Sequence, residues 1–295
     1  IFTYTATDPD RIYGVSTRAH NTVEVNNKSG KATGRGTIHD WVTNGNYDFL
    51  SQSSTSYADV GHRRSILFIK PDLWIVSDLM TPKNASGKNS YKQLWHMLPD
   101  ANLSTDSENG LITSNFKTGA NILIGSAAKD AEVREEMGRY DFGYQQVTDA
   151  KYGYYEKTGV TGPAVFDTVL LPDRSNKNEL KVERIDLGAA ASEATAVKFD
   201  TTIDGERNRF YYLLDSSHKP GRIRTFDQYR TDGKLALVRE SQNGKVQEAV
   251  LNTGSKIQTA DGGLLLEAPK SVSDLSFRQI GGRLYIETTG TAFEL

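Results

Sequence analysis

Cysteine is absent from the 295 residues and proline is scarce, at 8. The first absence removes disulfide stapling, thiolate-held zinc, iron–sulfur clusters and thiol nucleophiles together, although it does not fix a compartment. Excess charge is also missing. The 35 Lys and Arg oppose 37 Asp and Glu, a formal balance of −2. With no global field to draw a polyanion, nonspecific nucleic-acid binding and polybasic membrane binding are disfavoured, and an acidic ligand must be gripped locally. Long apolar runs are missing too. Ser65–Ile69 and Gly263–Leu266 are strand-sized, far below the about 20 residues that cross a bilayer as a helix. No G-x-S-x-G, phosphate-binding glycine loop or dinucleotide fingerprint occurs, so serine-hydrolase, NTPase and dehydrogenase readings fall away.

What is present is period-2 alternation rich in Val, Ile, Thr and aromatics, bounded by Gly, Asn, Asp and Ser. Strands are expected at Thr22–Asn26, Ser65–Lys70, Leu73–Ser77, Tyr91–His96, Ala120–Gly125, Ala164–Leu171, Ala196–Thr202, Arg209–Leu214, Arg222–Asp227, Lys234–Arg239, Gln247–Leu251 and Leu284–Thr288. Turn dipeptides separate the later ones: Asp204-Gly205, Asp232-Gly233, Asn243-Gly244, Asp261-Gly262 and Gly281-Gly282. Helical periodicity is weak, and its best stretch is Lys129–Met137. The pattern predicts an all-β fold, a large antiparallel two-sheet β-sandwich over residues 1–295, with a sub-boundary near 190–200. Ile1–Thr5 reads as a strand already under way, and a chain that opens on Ile rather than Met implies sequence upstream.

The informative polar residues lie in the first hundred positions, where four of the five histidines fall: His20, His39, His62 and His96. They form no H-x-H, H-x-x-x-H or H-E-x-x-H box, so a metal site within this chain requires long-range convergence, most simply of His20, Asp40 and His62. The bland alternative puts His39 and Asp40 in a turn and His62 at a strand end. Arg63 and Arg64, adjacent on a strand, point to opposite faces, and a structural role for both is the simpler reading. His96, in the strand Tyr91–His96, reads as a buried, hydrogen-bonded core histidine. Residues His62–Asp78 read as a hairpin turning at Lys70-Pro71-Asp72.

The run from Tyr4 through Ser16-Thr17-Arg18-Ala19-His20-Asn21-Thr22-Val23 resembles the Y…S-T-x-A-H-N-T-V signature of the heparinase II/III-like polysaccharide lyases. The hairpin His62–Asp78 and the strand Leu94-Trp95-His96 match that family's next elements in order. The likeness covers Ile1 to about Asp100. It implies a C-terminal β-sandwich whose N-terminal α/α-toroid is absent from this chain, and a secreted or periplasmic enzyme that cleaves a uronate-containing acidic polysaccharide by β-elimination. By the same resemblance His20 is a ligand of a structural zinc whose other ligands lie upstream, which displaces the His20/Asp40/His62 trio. Tyr4 corresponds to a catalytic tyrosine, and Arg18 is a candidate for substrate charge. The chain alone is then expected to be inactive. The alternative reading is a noncatalytic sandwich module that binds carbohydrate or braces a partner domain. Neither reading calls for nucleic acid or membrane.

Overall fold

The computed structural model describes residues 3–127, 129–203 and 205–288. The one α-helix among them is α1 (Pro9–Gly14). Asp8 caps it by accepting from the backbone N–H groups of Asp10 and Arg11, and Pro9 sits in the first turn, where its missing N–H leaves no bond unmade. Single 3₁₀ turns span Thr17–Ala19 and Pro99–Ala101.

Strands make up the rest. First come β1 (Val23–Val25), β2 (Gly36–Thr43), β3 (Tyr47–Ser54), β4 (Val60–Ile69), β5 (Leu73–Pro82) and β6 (Lys88–His96). Next are β7 (Ser104–Asp106), β8 (Leu111–Thr113), β9 (Asn121–Ser126), β10 (Glu132–Gly143), β11 (Gln146–Thr161) and β12 (Ala164–Asp173). The last group is β13 (Glu179–Arg184), β14 (Ala194–Ile203), β15 (Glu206–Asp215), β16 (Arg224–Phe226), β17 (Tyr229–Thr231), β18 (Leu235–Ser241), β19 (Val246–Thr259), β20 (Leu264–Ile280) and β21 (Arg283–Glu287).

The antiparallel β architecture is the one expected, but there are three sheets rather than two. One has the order β1-β6-β11-β10, the second β2-β3-β4-β5-β12-β9-β8-β7, and the third has nine strands that follow β13-β14-β15-β18-β19-β17-β16, with β20 paired to β19 and β21 to β20. The eight-stranded sheet lies in the middle because β5 and β12 are apolar on both faces. Leu73, Ile75, Val169 and Leu171 pack with Phe199, Phe210 and Val250 of the third sheet. Val76, Met80, Ala164 and Phe166 pack with Val23, Tyr91, Trp95 and Tyr155 of the four-stranded sheet. A run such as Leu73-Trp74-Ile75-Val76 is the mark of a strand buried on both sides.

Three other expectations change. Lys129–Met137 is not helical, because Glu132–Gly143 pairs along β11 from Glu132↔Glu156 to Gly143↔Gln146. Only Val133 and Gly138 of that strand are buried, and its charges solvate an exposed sheet edge, so tertiary pairing overrides the helix-forming composition. Thr3–Thr5 form no strand, and residues 1 and 2 lie outside the described residues. Strands β2, β3, β7, β8, β10, β11, β13, β17 and β20 were not among those expected, and the Ser-rich tract beginning at Ser51 falls on β3. Of the turn pairs, Asp204 lies outside the described residues. Gly281 and Gly282, at φ of +55° and +77°, make the tight β20–β21 connection that two left-handed residues allow. No helix among the described residues is long and apolar enough to cross a membrane.

Candidate functional site around His20

The signature loop is fixed from below. After the 3₁₀ turn, His20 is exposed with an extended backbone, and the chain enters β1, which pairs with β6 from Val23↔Gln93 to Val25↔Tyr91. Asn21 does most of the anchoring. Its side-chain oxygen accepts from the His96 backbone N–H at 2.7 Å and from His96 Nδ1 at 3.1 Å, while its carbonyl accepts from Arg64 Nη1 at 2.6 Å. The Thr22 carbonyl accepts from the Leu94 N–H at 2.9 Å, and the Tyr57 hydroxyl donates to the Val23 carbonyl at 3.0 Å.

Arg64 is in turn held by a fully buried carboxylate. Asp78 accepts from Arg64 Nε and Nη2 at 2.8 and 2.7 Å, from His62 Nε2 at 2.6 Å and from Gln93 Nε2 at 2.7 Å. The Gln93 oxygen accepts from Thr168 at 2.6 Å and from Trp95 Nε1 at 3.3 Å. Burial alone would raise the Asp78 pKa, but the Arg64 and His62 charges outweigh it and hold the carboxyl well below the usual carboxylate range. This network ties the middle sheet to the four-stranded sheet directly beneath the loop.

His96 stacks on the Tyr152 ring with centroids 4.6 Å apart. Burial pushes its pKa down to about 4, against the smaller opposing effect of a hydrogen bond to the Arg18 carbonyl, so the ring is neutral at physiological pH. Nδ1 faces the Asn21 side-chain oxygen, and Nε2 is buried on the other side of the ring.

Three hollows meet at His20. One, of about 340 Å³, is polar and includes Lys31, Ser54, His62 and Arg64, with no carboxylate among the described residues of its lining. The second, of about 410 Å³, joins Arg11, His96, Arg139 and Tyr140. The third, of about 550 Å³, is apolar and aromatic, with Leu98, Phe116, Ile122 and Tyr140. The three linings thus place basic, mixed and apolar surfaces around one histidine.

Of the residues predicted from sequence, Tyr4 is 72 % exposed, near Tyr144 of the β10–β11 hairpin at 6.1 Å between ring centroids. It is not among the residues that line the three hollows; only its neighbour Thr3 is tied to them, through a carbonyl that accepts from Arg11 of the second hollow at 3.0 Å. Arg18 is committed to carboxylates: its Nε and Nη2 each lie 3.2 Å from buried Glu24, and Nη1 is 3.5 Å from Glu136. The His20/Asp40/His62 trio does not assemble. Asp40 sits in β2, where it accepts from Lys234 Nζ at 2.7 Å and lies 3.6 Å from Arg63, while His62 is spent on Asp78. Neither is in a turn or a strand cap. Strand alternation sends Asp40 toward the third sheet and His62 toward the four-stranded sheet, so no metal can draw them together. Arg63, which donates to Ser51 at 2.9 Å, and Arg64 do point to opposite faces and are both structural. Among the described residues no group of three His, Cys, Asp or Glu side chains is placed to hold a metal ion. His20 can therefore serve as one ligand at most, and the residues present do not fit zinc by themselves.

The role of Asp78 was missed from sequence. The signal was there: counting outward from the recognised turn at Lys70-Pro71-Asp72 puts Arg64 directly opposite Asp78.

The family model described as "Heparinase II/III-like, C-terminal" matches residues 1–177, more than half of the chain. A heparin-sulfate lyase of Pedobacter heparinus is 25 % identical over 142 residues, which cover 48 % of this chain and 21 % of the relative. One from Bacteroides stercoris is 28 % identical over 108 residues, covering 37 % and 16 %. The chain thus spans about a fifth or less of the length of the curated relatives it matches. Among solved structures, the heparan sulfate lyase HepC of Pedobacter heparinus superposes with a TM-score of 0.63 at 23 % identity, over 74 % of this chain and 34 % of that one. A heparinase III, the BT4657 gene product, gives 0.60 at 19 %, over 72 % and 33 %. At such identities the structures speak for the fold alone. The family match and the A-H-N-T-V loop around which the site is built agree, and the chain belongs to the heparinase II/III-like C-terminal family.

Proposed function

We propose that this chain is the sandwich part of an extracytoplasmic polysaccharide lyase, and that the groove through His20 is the face it turns to a uronate-containing acidic polysaccharide. The observation that carries this reading is the convergence of three differently lined hollows on the single exposed histidine of the signature loop.

β-Elimination at a uronate takes the C5 proton onto a base. The C5–H electron pair becomes the C4–C5 double bond, the C4–O4 bond breaks, and O4 takes up a proton. The C5 proton is acidic enough only when the adjacent carboxylate is neutralised by donors or positive charge. In this reading Tyr4 works at the leaving oxygen as a proton donor. Lys31 offers its charge to the polymer from the polar hollow. Arg18, bidentate on Glu24, holds the loop rather than the sugar. The other reacting groups, an α/α-toroid and the remaining ligands of any structural zinc on His20 are contributed from outside these 295 residues.

The test compares the full encoded protein with the 295-residue chain on heparan sulfate, alginate and hyaluronate, following the ultraviolet absorbance of the new double bond. Product from the full protein on one of these, and none from the chain alone, is expected. No product from the full protein on any of them would reduce the sandwich to a binding or bracing module. Product from the chain alone would refute the need for outside groups.

A further inference from the structure

A cavity of about 720 Å³ opens at the end of the space between the middle and third sheets, away from the His20 groove. Most of its lining falls beyond residues 1–177, the part the family match covers. Antiparallel register sets Leu180, Thr201, Asn208 and Ser241 in one row across β13, β14, β15 and β18. Two residues along each strand, the row Val182, Phe199 and Phe210 belongs to the core shared with the middle sheet. By alternation the first row therefore faces the same way, where Leu111 and Leu123 close the opposite wall.

Thr201 stands out in this row. It is 2 % exposed, lines the cavity, and its hydroxyl is buried with no hydrogen-bond partner among the described residues. A buried hydroxyl without a partner is uncommon enough to ask what it is for. Around it the cavity is apolar at Leu111, Leu123 and Leu180 and offers neutral amides at Asn109 and Asn208. Those amides are held in place: Asn109 Nδ2 donates to Asp106 at 2.7 Å, and Asn208 Nδ2 to the Glu206 carbonyl at 3.1 Å. The charged side chains of the lining are three basic and three acidic, and Arg209 and Asp200 among them pair at 2.6 and 2.8 Å. A site so balanced does not select an anion.

We propose that this cavity is a second saccharide-binding site that receives the acetamido group of an N-acetylated sugar unit. The methyl rests on the leucines, the amide satisfies the Thr201 hydroxyl, and ring hydroxyls meet Asn109 and Asn208. The volume is in the range of small-ligand sites. The proposal does not depend on the lyase reading, because it concerns a different cavity and an uncharged ligand.

Isothermal titration calorimetry of the 295-residue chain with chitotriose and with cellotriose tests it. The two share a β-1,4 linkage and differ by the acetamido groups. Saturable binding of chitotriose, with cellotriose at least about tenfold weaker, is expected, a factor in keeping with loss of a buried hydrogen bond. Thr201→Val keeps shape and removes a hydroxyl that has no partner among the described residues, so it folds as well as the wild type and loses about tenfold in chitotriose affinity. Asn208→Ala, in the same lining, weakens binding in the same direction should the valine variant prove unstable. No binding at millimolar sugar, equal binding of both sugars, or undiminished binding by both variants would overturn the proposal.

Discussion

Alanine at position 78 is expected to lower the unfolding free energy by about 3–5 kcal/mol, the cost of stranding a buried charge. Asp78 is fully buried and is the acceptor for Arg64, His62 and Gln93 at once. Its removal leaves the Arg64 guanidinium, itself only 16 % exposed, without a counter-charge under the signature loop. Urea unfolding of the two proteins checks the figure. Combining Asp78→Ala with Arg64→Met should be less harmful than the sum of the single changes, because the second removes the stranded charge.

The same group sets an acid limit. Its folded pKa lies below the ordinary 3.8, so the stability it contributes is complete above about pH 4 and is lost as pH falls from there toward the folded value. His96 adds a limit at higher pH. With a folded pKa of about 4 against 6.5 when unfolded, the neutral buried ring loses stability to the protonated unfolded chain as pH falls from 6.5 to 4. In the Asp78→Ala variant the loss below pH 4 should flatten while the loss between 6.5 and 4 persists. A wild-type stability curve flat from pH 7 to 3 would refute both assignments.

Phenylalanine at position 4, in the full encoded protein, is expected to cut lyase turnover by about 10²–10⁴-fold, the usual worth of a positioned proton donor. Tyr4 is 72 % exposed, so the change removes a hydroxyl without opening the core. The fall should appear in kcat with KM little altered, and the melting temperature should not move. Turnover within twofold of wild type would remove Tyr4 from the reaction.

The fold was legible where local pattern and packing agree. The hairpin from His62 to Asp78 could be read because alternating strands flank a Pro-centred turn, and β4 and β5 meet as expected. β10 could not, because Glu132–Met137 favours helix locally, and only its long ladder with β11, set by tertiary contacts, decides otherwise. β3 was hidden by its serines, whose hydroxyls are used inside: Ser51 accepts from Arg63 at 2.9 Å and from Ser65 at 3.0 Å. The third sheet was missed as a separate layer because alternation reports burial of a face, not which sheet covers it.

The site was legible at its surface and hidden beneath. His20 and Asn21 stand in a recognisable string, and the structure gives that string a physical reason: Asn21 is bound from two sides by His96 and Arg64. Arg18 looked like a cation free for substrate, but its partner Glu24 is six positions away, across the 3₁₀ turn and the entry to β1, a contact no periodicity announces. His62 and Asp40 suggested a metal, and strand parity places them on opposite sides of the middle sheet.

The central claim is that the groove through His20 faces the polysaccharide. Hydrogen exchange of the full encoded protein, with and without a saturating heparan sulfate oligosaccharide, tests it most directly. The account predicts slowed exchange in residues 15–22, 94–98 and 138–142, which border the three hollows. Protection confined to other surfaces, with these segments unchanged, would contradict it.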